Sequence, residues 1–219
     1  MNFLSHYFKS AISQQPSFNA GLILPDLLRK DIRHFQKTNP NFSLEINQLI
    51  KGCHQHQSDD KHFHSSDFFN KWLKLFLHEI NTHPQLVNLP RKWFVAHIAL
   101  EMLIDRILLK HYPNLVHQFY EDLLLVQTES YVEFLAIHGI TNNSRLLNRW
   151  SQFNASQYIK NYTCNQLFAY SIWRIMTNVG IQEVSKETIT ELVELLQKLE
   201  ESFFLDRYSL IFDLKQIGQ

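Results

Sequence analysis

An all-α fold, a single irregular helical bundle, is what this sequence predicts, and three observations predict it. Long stretches repeat apolar residues at three- and four-residue spacing, the period of a helix with one buried face. The best of them is 93–112, where apolar residues recur at 94, 95, 98, 99, 102, 103, 107, 108 and 109 with no internal glycine or proline. Glycine is scarce, at 5 residues, and phenylalanine abundant, at 17, which suits packed helices better than a turn-rich sandwich. No repeat, low-complexity tract or linker divides the chain, and 219 residues suffice for one substantial core, so 1–219 reads as a single domain.

From the amino terminus, Phe3, Leu4, Tyr7, Phe8, Ala11 and Ile12 fit one helical face within 1–13. A turn over 17–21 leads to a helix carrying Leu22, Ile23, Leu24, Leu27 and Leu28, with Pro25 tolerated in its first turn. The next helix begins near Ser43 on Phe42, Leu44, Ile46, Leu49 and Ile50 and runs into a dense polar tract over 52–64. That tract reads either as continued helix or as an exposed junction. Residues 67–79 resume an amphipathic pattern, 81–90 holds two prolines and reads as a loop, and Pro113 stops the 93–112 helix. One helix is expected over 114–136, ended by the turn-rich 138–144. Short helices over 144–153, 156–162 and 165–177 precede a terminal helix over 187–212, built on Ile189, Leu192, Leu195, Leu196, Leu199, Phe203 and Phe204. Thr188 and Glu191 are placed to form a capping-box start.

Composition excludes several classes. The 21 basic and 21 acidic residues balance, so nothing global favours nucleic acid or an anionic membrane. Trp150, Phe168, Tyr170 and Trp173 read as core or groove aromatics without the basic interleaving of a nucleic-acid platform. No run of about 18 apolar residues predicts membrane insertion, and the opening residues lack the apolar core and cleavage site of a signal peptide. Cys53 and Cys164 make neither a disulfide framework nor a CxxC pair. A soluble cytoplasmic protein is the expectation; oligomeric state is not written in the sequence. GxGxxG, phosphate-loop, GxSxG and HExxH motifs are absent.

Chemistry-bearing residues concentrate instead among carboxylates and the 12 histidines. His97, Glu101 and Asp105 stand at i, i+4 and i+8, near one face of the 93–112 helix. Carboxylates among apolar residues need a cation, a hydrogen bond or water, and an imidazole with two carboxylates is a ligand set for a hard or borderline metal. A solvent-facing polar stripe is the other reading. His56 and Asp60 are four apart and share a face if their helix continues. His54, His62 and His64 are alternative ligands, and His6 and Asp26 each interrupt an apolar run.

The opening Met1-Asn2-Phe3-Leu4-Ser5-His6, taken with 21–26, 52–60 and 100–111, resembles the acyl carrier protein phosphodiesterases, or holo-acyl-carrier-protein hydrolases. The resemblance implies an HD-like, all-helical hydrolase that uses a divalent metal, Mn²⁺ by preference, to release 4'-phosphopantetheine from holo-acyl carrier protein. It carries over His6, Asp26, His56, Asp60 and Asp105 as catalytic positions, with Glu101 where the family has aspartate. His56, Asp60, Glu101 and Asp105 would hold the metal or orient its water. The chain also departs from the pattern. Leu22 stands for an asparagine, the 56–64 run loses an arginine and ends on His64 instead of aspartate, and Asp105-Arg106 replaces an Asp-His pair. His97, His54, His62 or His64 can supply the missing imidazole. An acidic carrier protein would suit a locally basic entrance drawn from Lys9, Arg29, Lys30, Arg33, Arg106 and Lys110. The competing readings are an impaired relative that binds acyl carrier protein or another protein, a phosphohydrolase of small substrates, and a purely structural bundle.

Overall fold

In the computed structural model the backbone is described for residues 1–181 and 184–216, and side chains for the same residues except Lys30 and 203–216. The described residues form α1 (Phe3–Ser10), α2 (Pro16–Gly21), α3 (Leu24–Leu28), α4 (Leu44–Ser65), α5 (Asp67–Thr82), α6 (Lys92–His111), α7 (Leu115–Leu125), α8 (Thr128–Ile137), α9 (Ser144–Ser156), α10 (Asn165–Asn178) and α11 (Lys186–Gln216). Tight 3-10 turns occupy Arg29–Asp31 and Tyr158–Thr163, and no strand is present among the described residues. The fold is an all-α bundle, as the sequence predicts.

Its axis is α6. Every residue from Leu100 to Leu109 is buried, polar ones included, which marks a helix enclosed on all sides rather than amphipathic. Helices α1, α5, α7, α10 and α11 pack around it. None of the described helices is long and apolar enough to cross a membrane.

The polar tract 52–64 is a continuation of α4. The Ser43 hydroxyl starts that helix by accepting the Ile46 N–H at 3.2 Å, which satisfies one of the donors a helix leaves open. Two glycines then let α4 touch α2. A Cβ on Gly52 would lie 2.2 Å from the Phe18 carbonyl oxygen, and one on Gly21 would lie 2.3 Å from that of Leu49. The helices therefore meet backbone to backbone, which no larger residue permits.

Four boundaries differ from expectation. The turn over 17–21 is the helix α2, with Pro16 in its first turn. The single helix over 114–136 is two, because Val126 and Gln127 are extended. The break lets Phe119 and Leu123 on α7 and Tyr131, Phe134 and Leu135 on α8 all reach the core. The helix over 156–162 is a 3-10 turn. The last helix is capped by Ser185, whose hydroxyl accepts the Thr188 N–H at 3.2 Å, so Thr188 is not the cap. Phe203 and Phe204 lie outside the described side chains.

Candidate metal centre

Two helical stripes face α1. On α4 they are His56, Asp60 and His64; on α6 they are His97, Glu101 and Asp105. Four-residue steps keep each set on one side of its helix. Helix α1 packs against both α4 and α6 and carries His6 between them.

His6, His56 and Asp60 form the inner cluster, with one ligand atom from each lying within 4.8 Å of the others. His6 is fully buried, and neither of its ring nitrogens has a hydrogen-bond partner among the described residues. Its ring stacks on His56 with centroids 3.7 Å apart, and its Nε2 lies 3.8 Å from Asp60 Oδ1. Burial, reinforced by His56 and the Met1 amino group, holds the His6 imidazole neutral, well below its ordinary pKa. His56 Nδ1–H donates to the Leu22 carbonyl at 2.7 Å. The bond uses the Nδ1 proton, which leaves Nε2 as the nitrogen that would ligate a cation. The Gly21–Gly52 crossing brings that carbonyl into reach one turn before His56. A backbone oxygen orients the histidine here, so an apolar side chain at Leu22 is no obstacle.

Asp26, at the start of α3, lies 3.8 Å from His56 Nε2 through its Oδ1. Burial, opposed by His56, pushes its carboxyl up to about 6. Although burial opposes it, the His64 hydrogen bond and the Met1 ammonium hold the Asp60 carboxyl well below the carboxylate range.

His64, His97 and Glu101 form an outer cluster, again within 4.8 Å. Glu101 Oε1 lies 3.3 Å from His64 Nε2 and 3.0 Å from His97 Nε2. Against the effect of burial, the Met1 ammonium and His97 depress the Glu101 pKa. The clusters adjoin: Asp60 Oδ1 also lies 3.1 Å from His64 Nε2. At the seam the Met1 amino group lies 2.5 Å from Asp60 and 3.1 Å from Glu101. Phe69 sets its ring edge-on to both outer imidazoles, and the exposed Trp93 covers His97 from the solvent side.

Other candidate residues are placed elsewhere. Asp105 lies outside both clusters. Its carboxylate accepts the Leu4 N–H at 3.1 Å, the Ser5 N–H at 2.8 Å and the Ser5 hydroxyl, so it closes the amino end of α1, where a helix has free donors and partial positive charge. Arg106 is buried, bonded to Glu200 at 3.2 Å and Asn165 at 2.6 Å. Lys110 pairs with the same Glu200, and Lys9 with Asp59 at 2.7 Å. These three form internal pairs, while Arg29 and Arg33 are exposed and the Lys30 side chain lies outside the described residues. His54 meets the Gln36 carbonyl and His62 the Ser58 carbonyl, both at the surface. Among the alternatives for a missing imidazole, His64 and His97 reach the carboxylates. The signal in the sequence was their i+4 and i−4 spacing from Asp60 and Glu101.

The donor set fits a divalent cation. A buried imidazole with no partner is unfavourable unless it ligates, and His6 is such a group, aimed at a carboxylate held ionised. Two imidazoles and carboxylate oxygen suit a borderline transition metal better than Mg²⁺ or Ca²⁺. No protein-family model, curated protein or solved structure matches this chain.

Proposed function

We propose that the protein is a divalent-metal-dependent phosphodiester hydrolase acting at the His6–His56–Asp60 cluster. The observation that carries the reading is His6: fully buried, without a hydrogen-bond partner among the described residues, stacked on an oriented His56 and pointed at Asp60. The sequence resemblance supports Mn²⁺ as the metal and holo-acyl carrier protein as the substrate, with 4'-phosphopantetheine and the apo protein as products.

His6, His56 and Asp60 would hold the metal. A bound divalent cation lowers the pKa of its water and offsets charge on a phosphoryl oxygen. Around it, the Leu22 carbonyl fixes the His56 tautomer. Asp26, part-exposed beside His56, is positioned to take the proton that water loses on attacking phosphorus, as the bond to the carrier-protein serine oxygen breaks. The serine then recovers a proton and leaves with the apo protein. Asp105 serves from behind by anchoring the helix that carries His6.

The test is incubation of holo-acyl carrier protein with the purified protein and Mn²⁺, read by intact mass. The expected result is conversion to the apo form, abolished by chelation and lowered at least a hundredfold in His56→Gln. Saturable binding of the carrier protein without conversion would replace this reading with that of a binding protein. Cleavage of small phosphodiesters alone would keep the chemistry and remove the proposed substrate.

A further inference from the structure

We propose that His64, His97 and Glu101 form a second cation site, so that the protein binds two divalent transition-metal ions side by side. The inference rests on the inner cluster being a metal site, and it extends that reading to residues lying outside the inner cluster.

Three observations carry it. First, the outer donors already converge. Nε2 of His64 and Nε2 of His97 both lie within 3.3 Å of Glu101 Oε1, though they come from different helices. Second, the donors are built into the fold. Glu101 is buried on a helix enclosed on all sides, and Phe69 fixes both imidazole rings from α5. A solvated polar stripe would need no such support. Third, the two clusters share a carboxylate. Asp60 Oδ1 approaches His6 Nε2 at 3.8 Å and His64 Nε2 at 3.1 Å, and the seam between Asp60 and Glu101 already accommodates a positive charge, the Met1 ammonium. Two imidazoles and one carboxylate are a familiar set for Zn²⁺, Fe²⁺ and Co²⁺. Neighbouring cations that share a carboxylate suit a phosphate ester, because such a pair can contact attacking and leaving oxygens together.

The site also accounts for His64. A histidine there gives the α4 stripe a donor that turns from Asp60 toward α6, where an aspartate would add a further negative charge beside Asp60 and Glu101.

Titration of the metal-free protein with Co²⁺ tests this, using calorimetry for stoichiometry and visible absorption for coordination. Wild type is expected to bind two equivalents, and His97→Gln and His56→Gln one each, with different residual spectra. Glu101→Gln is the second probe of the outer site and should behave as His97→Gln does. Circular dichroism and thermal melting confirm that each variant is folded. One equivalent in wild type that survives His97→Gln and Glu101→Gln but not His56→Gln would overturn the second site and leave the proposed function standing. One equivalent lost in His56→Gln and His97→Gln alike would show a single shared site and also overturn it. Absence of binding to folded wild type would remove both readings.

Discussion

Asp105 shows how a carboxylate with metal-ligand spacing can be used for something else. Both of its oxygens accept from α1, yet burial pushes its carboxyl up to about 7, outweighing those donors. A folded-state pKa above the ordinary 3.8 means the folded protein holds this proton more tightly than the unfolded chain. The associated stability is present below about pH 4 and is lost as pH rises through 7. Asparagine at 105 does not titrate, so the wild-type advantage over Asp105→Asn should shrink by about 2 to 3 kcal/mol between pH 5 and pH 8, as measured by urea unfolding. A pH-independent difference would show that Asp105 is ionised throughout. The residue also marks what sequence could reveal about the site. Spacing identified His56, Asp60, His97 and Glu101 as residues on common helical faces, and they do face one another. Spacing could not reveal that the α6 stripe reaches the end of α1 by its third member, because that depends on where a helix 100 residues away begins.

At the scale of elements, periodicity was enough wherever a helix buries one continuous face, as in α5 and α10, whereas it left the polar half of α4 open. It failed at 126–127, where each half of the pattern is helical and only the need to turn two apolar faces onto one core breaks the chain. It also failed at 17–21, a run that looks like a turn and folds as α2 because Gly21 must lie against Gly52. That crossing decides where His56 sits, since its orienting carbonyl belongs to Leu22. Gly52→Ala should therefore do two things at once. The added methyl meets the Phe18 carbonyl and the Gly21 backbone, neither of which can rotate away, so the helices must separate at a cost of about 1 to 3 kcal/mol. Separation stretches the His56–Leu22 bond and loosens the ligand, and metal affinity should fall about 10- to 100-fold, the range seen when an orienting partner is lost. Denaturant unfolding and Mn²⁺ titration on the same sample check both. A variant of lowered stability with unchanged affinity would separate the crossing from the site.

Across the whole molecule, the two clusters gather side chains from α1, α4 and α6, with Asp26 of α3 beside them, so the site joins the amino-terminal helix to the axis of the bundle. Without a cation this junction is electrostatically mixed. His6 is buried without a hydrogen-bond partner among the described residues, while Asp60 and Glu101 are held ionised close to one another with the Met1 ammonium between them. The unfolded chain cannot present these donors together, because His6, His56 and Glu101 are far apart in sequence, so a metal that binds them stabilises the folded state alone. At a free concentration a hundred times the dissociation constant, one such site adds about 2.7 kcal/mol, or about 5 to 10 °C in melting temperature for a chain of this size. Scanning calorimetry with and without Mn²⁺ should show that rise in wild type and a rise smaller by at least half in His56→Gln. Mg²⁺ at equal concentration should give a much smaller shift, because imidazole donors favour transition metals. Equal shifts in wild type and His56→Gln would mean that the ion stabilises the protein from somewhere other than the junction of α1, α4 and α6. The buried His6 would then be a structural histidine stacked on its neighbour.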